Sequence, residues 1–201
     1  MIITKKAGRP KKLEREDVLL RAIDVFWKKG FDGASVKDLT DAIGVKSPSL
    51  YADFGDKRGL YLASIELYIS NGACAPLVAF ESEPDIYNAV RAFLVAAIDH
   101  ASDCGDGLSG CFLASSVATS VGNVEGANEL LQQAIAKTDK RIAERFEREV
   151  ELNKLPSDFP SLARARLMFD LRQGLVFRAR AGAQRDTLLE GLDEKVAMLL
   201  S

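Results

Sequence analysis

Residues 35–60 carry separate signals for two helices, the turn between them and the start of a third. Ser35 is a preferred N-cap residue, and the carboxylate of Asp38, three positions later, can return a hydrogen bond to it in a capping box. The apolar residues that follow share one helical face: Val36, Leu39 and Ile43. Gly44 comes next and can adopt the left-handed conformation that ends a helix. The pattern predicts a short amphipathic helix that ends at Gly44.

The chain resumes helical character at Ser47-Pro48. Ser47 is an N-cap residue type, and Pro48 suits the first helical position, where proline loses no hydrogen bond. We therefore predict a second short helix from Pro48 to Phe54, followed by a third that Asp56 caps. A glycine-containing turn between two helices is typical of a helix-turn-helix, which places its second helix in the major groove of DNA. The same arrangement also occurs as a plain packing unit.

Positive charge is concentrated at the beginning of the chain. Residues 1–60 contain 13 Lys and Arg against 9 Asp and Glu, whereas residues 61–201 contain 14 against 20. Residues 1–12 are a basic arm without an acid, in which Gly8 and Pro10 disfavour a helix. A basic end on a chain of net charge −2 favours contact with DNA, because neutralised phosphates release counterions. A solvated charged tail is the alternative interpretation of the arm.

Residues Leu13 to Leu60 resemble the N-terminal DNA-binding domain of TetR-family transcriptional repressors. The resemblance rests on the sequence F-x-x-x-G-F at Phe26 to Phe31, on the helix-turn-helix, and on S-x-Y-x-x-F with a following lysine at Ser49 to Lys57. The Gly-Arg-Pro sequence of the arm and the Phe-Gly-Asp-Lys ending suggest the subgroup with a Gly-Arg-Pro leader. The resemblance implies a DNA-binding repressor whose recognition helix begins near Ser47.

In that family the recognition-helix tyrosine and the lysine of the next helix hold phosphates, and they match Tyr51 and Lys57. The front of the recognition helix faces the operator. The residues that we predict to contact double-stranded operator DNA are Lys46, Ser47, Pro48, Ser49, Tyr51, Lys57, Ser35, Arg9 and Lys11. Gly59 departs from the family pattern, in which a better helix former is common. Because glycine costs about 1 kcal/mol against alanine in a helix, we expect a loose joint there.

The chain has 201 residues, which leaves room for a second core after the helix-turn-helix. Helical periodicity predicts further helices at about 57–71, 85–102, 111–119, a long one ending near 153, 161–181 and 183–200. Breaks are expected at 76–84, 122–123 and 156–160. We therefore predict an all-α chain in three parts: a flexible basic arm (1–12), a three-helix helix-turn-helix DNA-binding domain (13–58) and a helical effector-binding and dimerisation domain (59–201).

The resemblance implies that the last two helices meet a second copy of the chain in a four-helix bundle. A palindromic operator also requires a homodimer, since one recognition helix reads only a few base pairs. The residues predicted at this interface are Leu167, Leu171, Leu175, Leu188, Leu192 and Val196. Arginines of the same region are expected in solvated or rim ion pairs: Arg164, Arg166, Arg172, Arg178 and Arg180.

The resemblance further implies a pocket among the middle helices, where a small-molecule effector alters the spacing of the two recognition helices. The candidate lining residues are Phe93, Ile98, Cys111, Phe112, Val117, Leu131 and Phe169, although plain core packing is the more common role for each of these residue types. Trp27, on the apolar face of the first helix, is expected in the core of the DNA-binding domain.

The cysteines offer an alternative means of control. His100, Cys104 and Cys111 could form a thiol switch or a soft-metal site, so the same fold could act as a cysteine-based redox or metal sensor. A free buried cysteine is also common as a small hydrophobic residue. A structural disulfide framework is not expected, and neither a cofactor nor a resident metal is predicted.

Two further classes have little support in the sequence. An enzyme would have to use Asp99-His100, but adjacent helical residues point about 100° apart. A membrane span needs about 20 apolar residues, and the most apolar run, Ala92 to Ile98, is much shorter. The basic N-terminus leads into a charged helix rather than the apolar segment of a signal peptide. We therefore expect a cytoplasmic protein without membrane contact.

Overall fold

The computed structural model describes residues 14–71, 74–102 and 111–201. The regular structure of these ranges is entirely helical, which confirms the all-α prediction. The helices are α1 (Arg15–Gly33), α2 (Val36–Ile43), α3 (Ser47–Phe54), α4 (Lys57–Ser70), α5 (Ala75–Ser82), α6 (Ile86–Ser102), a π-helical turn (Leu113–Val117), α7 (Ala118–Ser120), α8 (Ala127–Glu151), α9 (Ser161–Arg180), α10 (Arg185–Leu189) and α11 (Leu192–Leu200). The basic arm and Cys104 lie outside the described residues.

The helix-turn-helix forms as predicted, with one change at its second helix. Gly44 ends α2 with a φ of 82°, and Val45 packs under the turn against the core. However, α3 begins at Ser47 with Lys46 as its N-cap, so Pro48 occupies the second helical position. The side chain of this N-cap, Lys46, makes no capping hydrogen bond. The prediction of Ser47 as N-cap is therefore wrong by one residue.

Two elements of the C-terminal part differ from the sequence prediction. The stretch expected as a break at 76–84 contains α5, since Pro76 lies in the first turn, where its missing N–H costs nothing, and Phe80 is fully buried. The helix expected over 183–200 is two helices, because Glu190 is extended and Gly191 has a φ of 63°. Burial decides the first case, and a left-handed glycine decides the second.

Two apolar cores organise the described residues. The first joins α1, α2, α3 and α4 and also takes in later residues, namely Phe112, Val117, Val124 and Ala127. The second joins α5, α6, α8, α9, α10 and α11. Segment 111–127 therefore belongs, by packing, to the same core as the helix-turn-helix. The division of the chain at residue 58 stays a prediction.

Hydrogen bonds attach this later segment to the first core. The Ser116 hydroxyl of the π-helical turn donates to the backbone carbonyl of Phe26 at 2.9 Å. The Tyr61 hydroxyl lies 3.0 Å from the hydroxyl of Ser120. Both contacts are buried, and a buried hydrogen bond is costly to leave unmade. The π-helical turn is thus fixed to α1 and α4, the helices on which the helix-turn-helix rests.

One stretch, Lys57–Ser82, is long and apolar enough to cross a membrane by length and composition alone. It contains two separate helices, α4 and α5. The apolar composition of α4 has a direct explanation, because Leu60, Tyr61 and Ile65 are fully buried in the first core. Core helices commonly pass the same compositional test, so the stretch is weak support for a membrane span.

Candidate nucleic-acid interface and central cavity

The start of α2 is held by a complete capping box. The backbone N–H of Asp38 donates to the Ser35 hydroxyl at 3.1 Å, and the backbone N–H of Ser35 donates to the Asp38 carboxylate at 2.9 Å. Lys29 of α1 pairs with the same carboxylate at 2.6 Å. Lys29 and then the hydrogen bonds from Ser35 hold the pKa of Asp38 well below its usual range. The carboxylate therefore joins the front of α2 to α1 at neutral pH.

The front of α3 faces outward. Lys46, Pro48 and Ser49 are exposed, and Ser47 is half-buried. Within the described residues, the hydroxyls of Ser47 and Ser49 make no hydrogen bond to the protein. Leu50, by contrast, is buried in the first core and fixes the helix from below. This arrangement leaves two hydroxyls and one ammonium group available to base edges or phosphates.

Two predicted phosphate-binding side chains flank α3. Tyr51 is half-buried, and burial, followed by the nearby Asp56 carboxylate, raises the pKa of its phenol, which therefore stays a neutral donor at pH 7. The ammonium of Lys57 lies 4.4 Å from the centre of the Phe31 ring. This cation–π contact restrains the lysine without neutralising it. Both groups are suited to donate to a phosphate oxygen.

The beginning of α4 corrects the expectation about Gly59. Asp56 caps the helix as predicted, since its carboxylate accepts from the backbone N–H of Gly59 at 2.7 Å. A Cβ at position 59 would lie 2.0 Å from the carbonyl oxygen of Phe54. The backbone of α3 thus approaches α4 so closely that only glycine fits there. The expected loose joint is instead a tight contact between the two helices.

A cavity of about 590 Å³ lies between the two cores, within the range of about 300–1,000 Å³ usual for small-molecule sites. Its wall comes from both parts of the chain. The helices α1 and α4 contribute Leu20, Ile23, Asp24, Trp27, Tyr68 and Ile69. The π-helical turn, α8 and α9 contribute, among others, Leu113, Ala114, Leu131, Phe169, Arg172 and Gln173. Most of these side chains are apolar.

The predicted pocket residues divide into two groups. Phe93, Cys111, Leu131 and Phe169 line this cavity, whereas Ile98, Phe112 and Val117 are fully buried elsewhere in the cores. The sequence-based prediction did not include two members of the wall that carry N–H donors, Trp27 and Arg172. Trp27 was expected in the core, but it is only partly buried and its ring faces Tyr68 at a centroid distance of 5.8 Å. Trp27 and Arg172 have no special sequence signal beyond their positions on helical faces.

Arg172 corrects the expectation of a solvated arginine. It is only 5% exposed, and its Nη1 donates to the side-chain oxygen of Gln173 at 2.7 Å. Its Nε is buried without a hydrogen-bond partner, as is the indole N–H of Trp27. No carboxylate pairs with Arg172 in the described part of the chain. Two unsatisfied donors therefore belong to the wall of one cavity.

Cys111 lies close to this arginine. Burial raises the pKa of the thiol, but Arg172, a backbone hydrogen bond from Ala114 and the Tyr68 hydroxyl together outweigh burial and leave that pKa below its ordinary value. The Tyr68 hydroxyl is 3.7 Å from the sulfur. His100 and Cys74 line the same cavity. Across the described ranges, no group of three His, Cys, Asp or Glu side chains is close enough to hold a metal ion.

The predicted dimer residues mostly belong to the chain's own core. Leu175, Leu188, Leu192 and Val196 are at most 4% exposed and pack against α6 and its neighbours, so they cannot reach a partner. Leu171 is half-buried. Of the predicted set, only Leu167 is exposed. Other exposed apolar side chains are Leu162 and Phe177 of α9 and Met198 of α11. The stripe that was interpreted as an interface is the inner face of α9, α10 and α11.

An exposed second helix of a helix-turn-helix, flanked by the predicted phosphate-binding side chains Tyr51 and Lys57 and joined to a helical body with a cavity, is typical of helix-turn-helix DNA-binding proteins. Asp99, which an enzyme would have to use, pairs with Arg185 at 2.6 Å.

Comparisons with known proteins specify this class further. The sequence model of the family described as bacterial regulatory proteins, tetR family, matches residues 18–64. The HTH-type transcriptional repressor ComR of Escherichia coli (strain K12) is 27% identical over 188 residues, which are 94% of this chain and 90% of ComR. The HTH-type transcriptional repressor BdcR of the same strain is 40% identical over 76 residues, 36% of this chain and 39% of BdcR.

A solved structure agrees over nearly the whole chain. It is a cysteine mutant of the TetR family transcriptional regulator CifR, complexed with a 26-base-pair double-strand operator DNA. It matches with a TM-score of 0.82 and 26% identity, covering 94% of this chain and 98% of that chain. Residues 18–64 thus belong to the tetR family of bacterial regulatory proteins, and over nearly its whole length the chain resembles TetR-family transcriptional regulators in sequence and fold.

Proposed function

We propose that this regulator is a cytoplasmic repressor, which binds a palindromic operator as a homodimer and is released by a small-molecule effector. The observation that carries the proposal is the shared wall of the cavity. Trp27 of α1 and Tyr68 of α4 line it together with Arg172 of α9. A ligand there touches the helices that support the recognition helix and the helices of the C-terminal part at the same time.

The cavity has a short route to the recognition helix. Trp27 is next to Phe26, which is fully buried in the first core and accepts the hydrogen bond from Ser116. On the other side, Arg58 in the first turn of α4 pairs with Glu125 at 2.5 Å, just before α8. A ligand that separates α1 from α8 and α9 must therefore shift the body on which α3 rests.

The expected control is a population shift. An effector that binds more tightly to the conformation unable to bind DNA lowers the fraction of the protein that is competent to bind the operator. Linkage then requires DNA to weaken effector binding by the same factor. Equal effector affinity with and without operator would contradict release by this effector.

The homodimer is proposed on a face that shares only Leu167 with the interface residues that the sequence indicated. Leu167 and Phe177 are exposed on the outer side of α9, and Phe177 is 76% exposed. Met198 of α11 is 69% exposed, and the Arg164 guanidinium donates to its backbone carbonyl at 3.1 Å, which connects the two helices. A self-complementary apolar face of this kind suits a two-fold dimer.

Relatives support the two remaining parts of the proposal. ComR and BdcR are named transcriptional repressors, and the CifR mutant is complexed with operator DNA. For this chain, repression and a palindromic operator are inferred from those likenesses and from the exposed front of α3.

Selection of genomic fragments by the purified protein, followed by footprinting and a salt series, tests DNA binding. We expect a protected palindrome whose affinity falls steeply with salt. Tyr51→Ala and Lys57→Ala should each weaken the complex about five- to a hundredfold, since each loses one charge-assisted or neutral phosphate contact.

Lys140→Ala is the matched control. Lys140 is exposed on α8, so the variant loses the same charge far from α3 and should bind like the parent. An equal loss in Lys57→Ala and Lys140→Ala would reduce the effect of Lys57 to net charge. Absence of a protected palindrome at low salt would contradict operator recognition.

A thiol sensor is a second candidate, favoured by the lowered pKa of Cys111 and by its position in the cavity wall. In this case oxidation or alkylation of the thiol, rather than reversible binding, would release DNA. The double variant Cys104→Ser, Cys111→Ser decides between the two. Unchanged release by the same cue in this variant excludes the thiol sensor.

A further inference from the structure

The cavity combines an apolar wall with two buried N–H donors that lack acceptors. Arg172 is 5% exposed and its Nε has no partner, and the indole N–H of Trp27 has none either. Burial of a charge without a partner is costly, so an unpaired guanidinium edge in a ligand-sized cavity needs an explanation. The two donors come from different parts of the chain, α9 and α1.

The charges around the cavity are mostly positive. Its wall contains Arg172, Arg141 and Lys137 but, among the described residues, only one acid, Asp24. Asp24 and Lys137 are exposed. Arg141 is already held by Glu81 through two hydrogen bonds of 2.9 and 2.7 Å. Arg172 is therefore the one buried cation of this wall without a carboxylate partner in the described part of the chain.

Groups other than carboxylates surround the rest of the same guanidinium. Its Nη1 is satisfied by the amide oxygen of Gln173, and Phe169 lies beside it at 5.8 Å. Cys111, whose side chain hydrogen-bonds to the guanidinium, and the nearby Tyr68 complete the surroundings, and neither is a carboxylate. The Nε edge is left for an acceptor from outside the protein. The planar fork of arginine matches a carboxylate better than any neutral oxygen.

We propose that the effector of this regulator is an organic anion: an apolar body, aromatic or aliphatic, that ends in a carboxylate bound by Arg172. The apolar body fills the space between α1, α8 and α9, and an acceptor atom of the ligand receives the indole N–H of Trp27. This inference rests on the proposed release of the operator by an effector, and it specifies the chemical class of that effector.

Matched pairs of small molecules test the charge requirement directly. We would titrate the full-length protein with octanoate and octanamide, and with 4-phenylbutyrate and 4-phenylbutyramide. Trp27 is the single tryptophan of the sequence, so its fluorescence reports occupancy of the cavity. Each carboxylate should bind at least about tenfold more tightly than its amide, the effect of one charge-assisted hydrogen bond. Equal affinities within pairs, or no binding by any carboxylate, would overturn the inference.

Variants then assign the preference to Arg172. Arg172→Gln should bring the carboxylate down to the affinity of the amide, whereas Arg178→Gln, at an exposed position on the same helix, should leave the preference unchanged. If Arg172→Gln does not fold, Arg172→Lys takes its place. This variant retains the charge and should keep part of the preference for the carboxylate. Retention of the full preference in Arg172→Gln would refute the assignment.

Operator binding is measured separately, so that the two proposals fail in different ways. Carboxylate binding that leaves operator affinity unchanged would support the anion site and contradict release. Release of the operator by an uncharged ligand, with no carboxylate preference, would support release and contradict the anion site.

Discussion

Single residues decide how tightly the recognition helix is joined to the rest of the chain, and Gly59 is the sharpest case. Alanine normally stabilises a helix by about 1 kcal/mol relative to glycine. At position 59 the added Cβ would meet the Phe54 carbonyl oxygen at 2.0 Å, so we expect Gly59→Ala to lower the free energy of unfolding by about 1–3 kcal/mol, the usual cost of overpacking. Gly33→Ala is the control, because a Cβ there meets only ordinary contacts at 3.7 Å. Urea denaturation measures the free energy of unfolding, which should fall for Gly59→Ala and rise for Gly33→Ala. A stabilised Gly59→Ala would show that α3 and α4 can separate freely.

Among the elements, α2 depends on the carboxylate that caps it. Because the pKa of Asp38 is lowered in the folded state, its contribution to stability is complete above the unfolded pKa of about 3.9 and is lost as pH falls toward the folded value. Asp38→Asn should therefore be less stable than the parent at pH 7, and the difference should shrink at pH 3. The measurement is the urea midpoint of both proteins at the two pH values. Asp41→Asn, which changes an exposed acid on the same helix, should show no such trend; a pH-independent difference for Asp38→Asn would contradict the ion pair.

For the whole molecule, the outer face of α9 and α11 should set the oligomeric state. Phe177→Glu combined with Met198→Glu places charges on exposed apolar positions, so it should yield a folded monomer by sedimentation equilibrium. Operator affinity should fall by at least about a hundredfold, since only one half-site is then held. Leu152→Glu is the control. It places the same charge at an exposed leucine outside α9 and α11, and this variant should remain dimeric. A double glutamate variant that stays dimeric would move the interface elsewhere.

Local signals predicted more of this structure than long-range packing did. The capping box of α2, the glycine that ends it and Asp56 at the start of α4 are all decided within a few residues, and the sequence predicts each of them. Arg172 and Leu175 are different, because both lie on α9 and their burial depends on which neighbours cover that helix. Helical periodicity identifies an apolar face but does not say whether the chain itself or a partner covers it. Four of the six predicted interface residues are therefore core, and the buried arginine of the cavity was missed.

The cavity wall on α1 has a consequence for how such a regulator can evolve. Trp27 lines the cavity in which we propose that the effector binds, while its neighbour Phe26 supports the recognition helix through the first core. A substitution at Trp27 that suits a new ligand therefore also changes the packing beneath α3. Ligand preference and operator affinity are then coupled. A regulator that evolves to recognise a new effector must also acquire substitutions that restore its affinity for the operator.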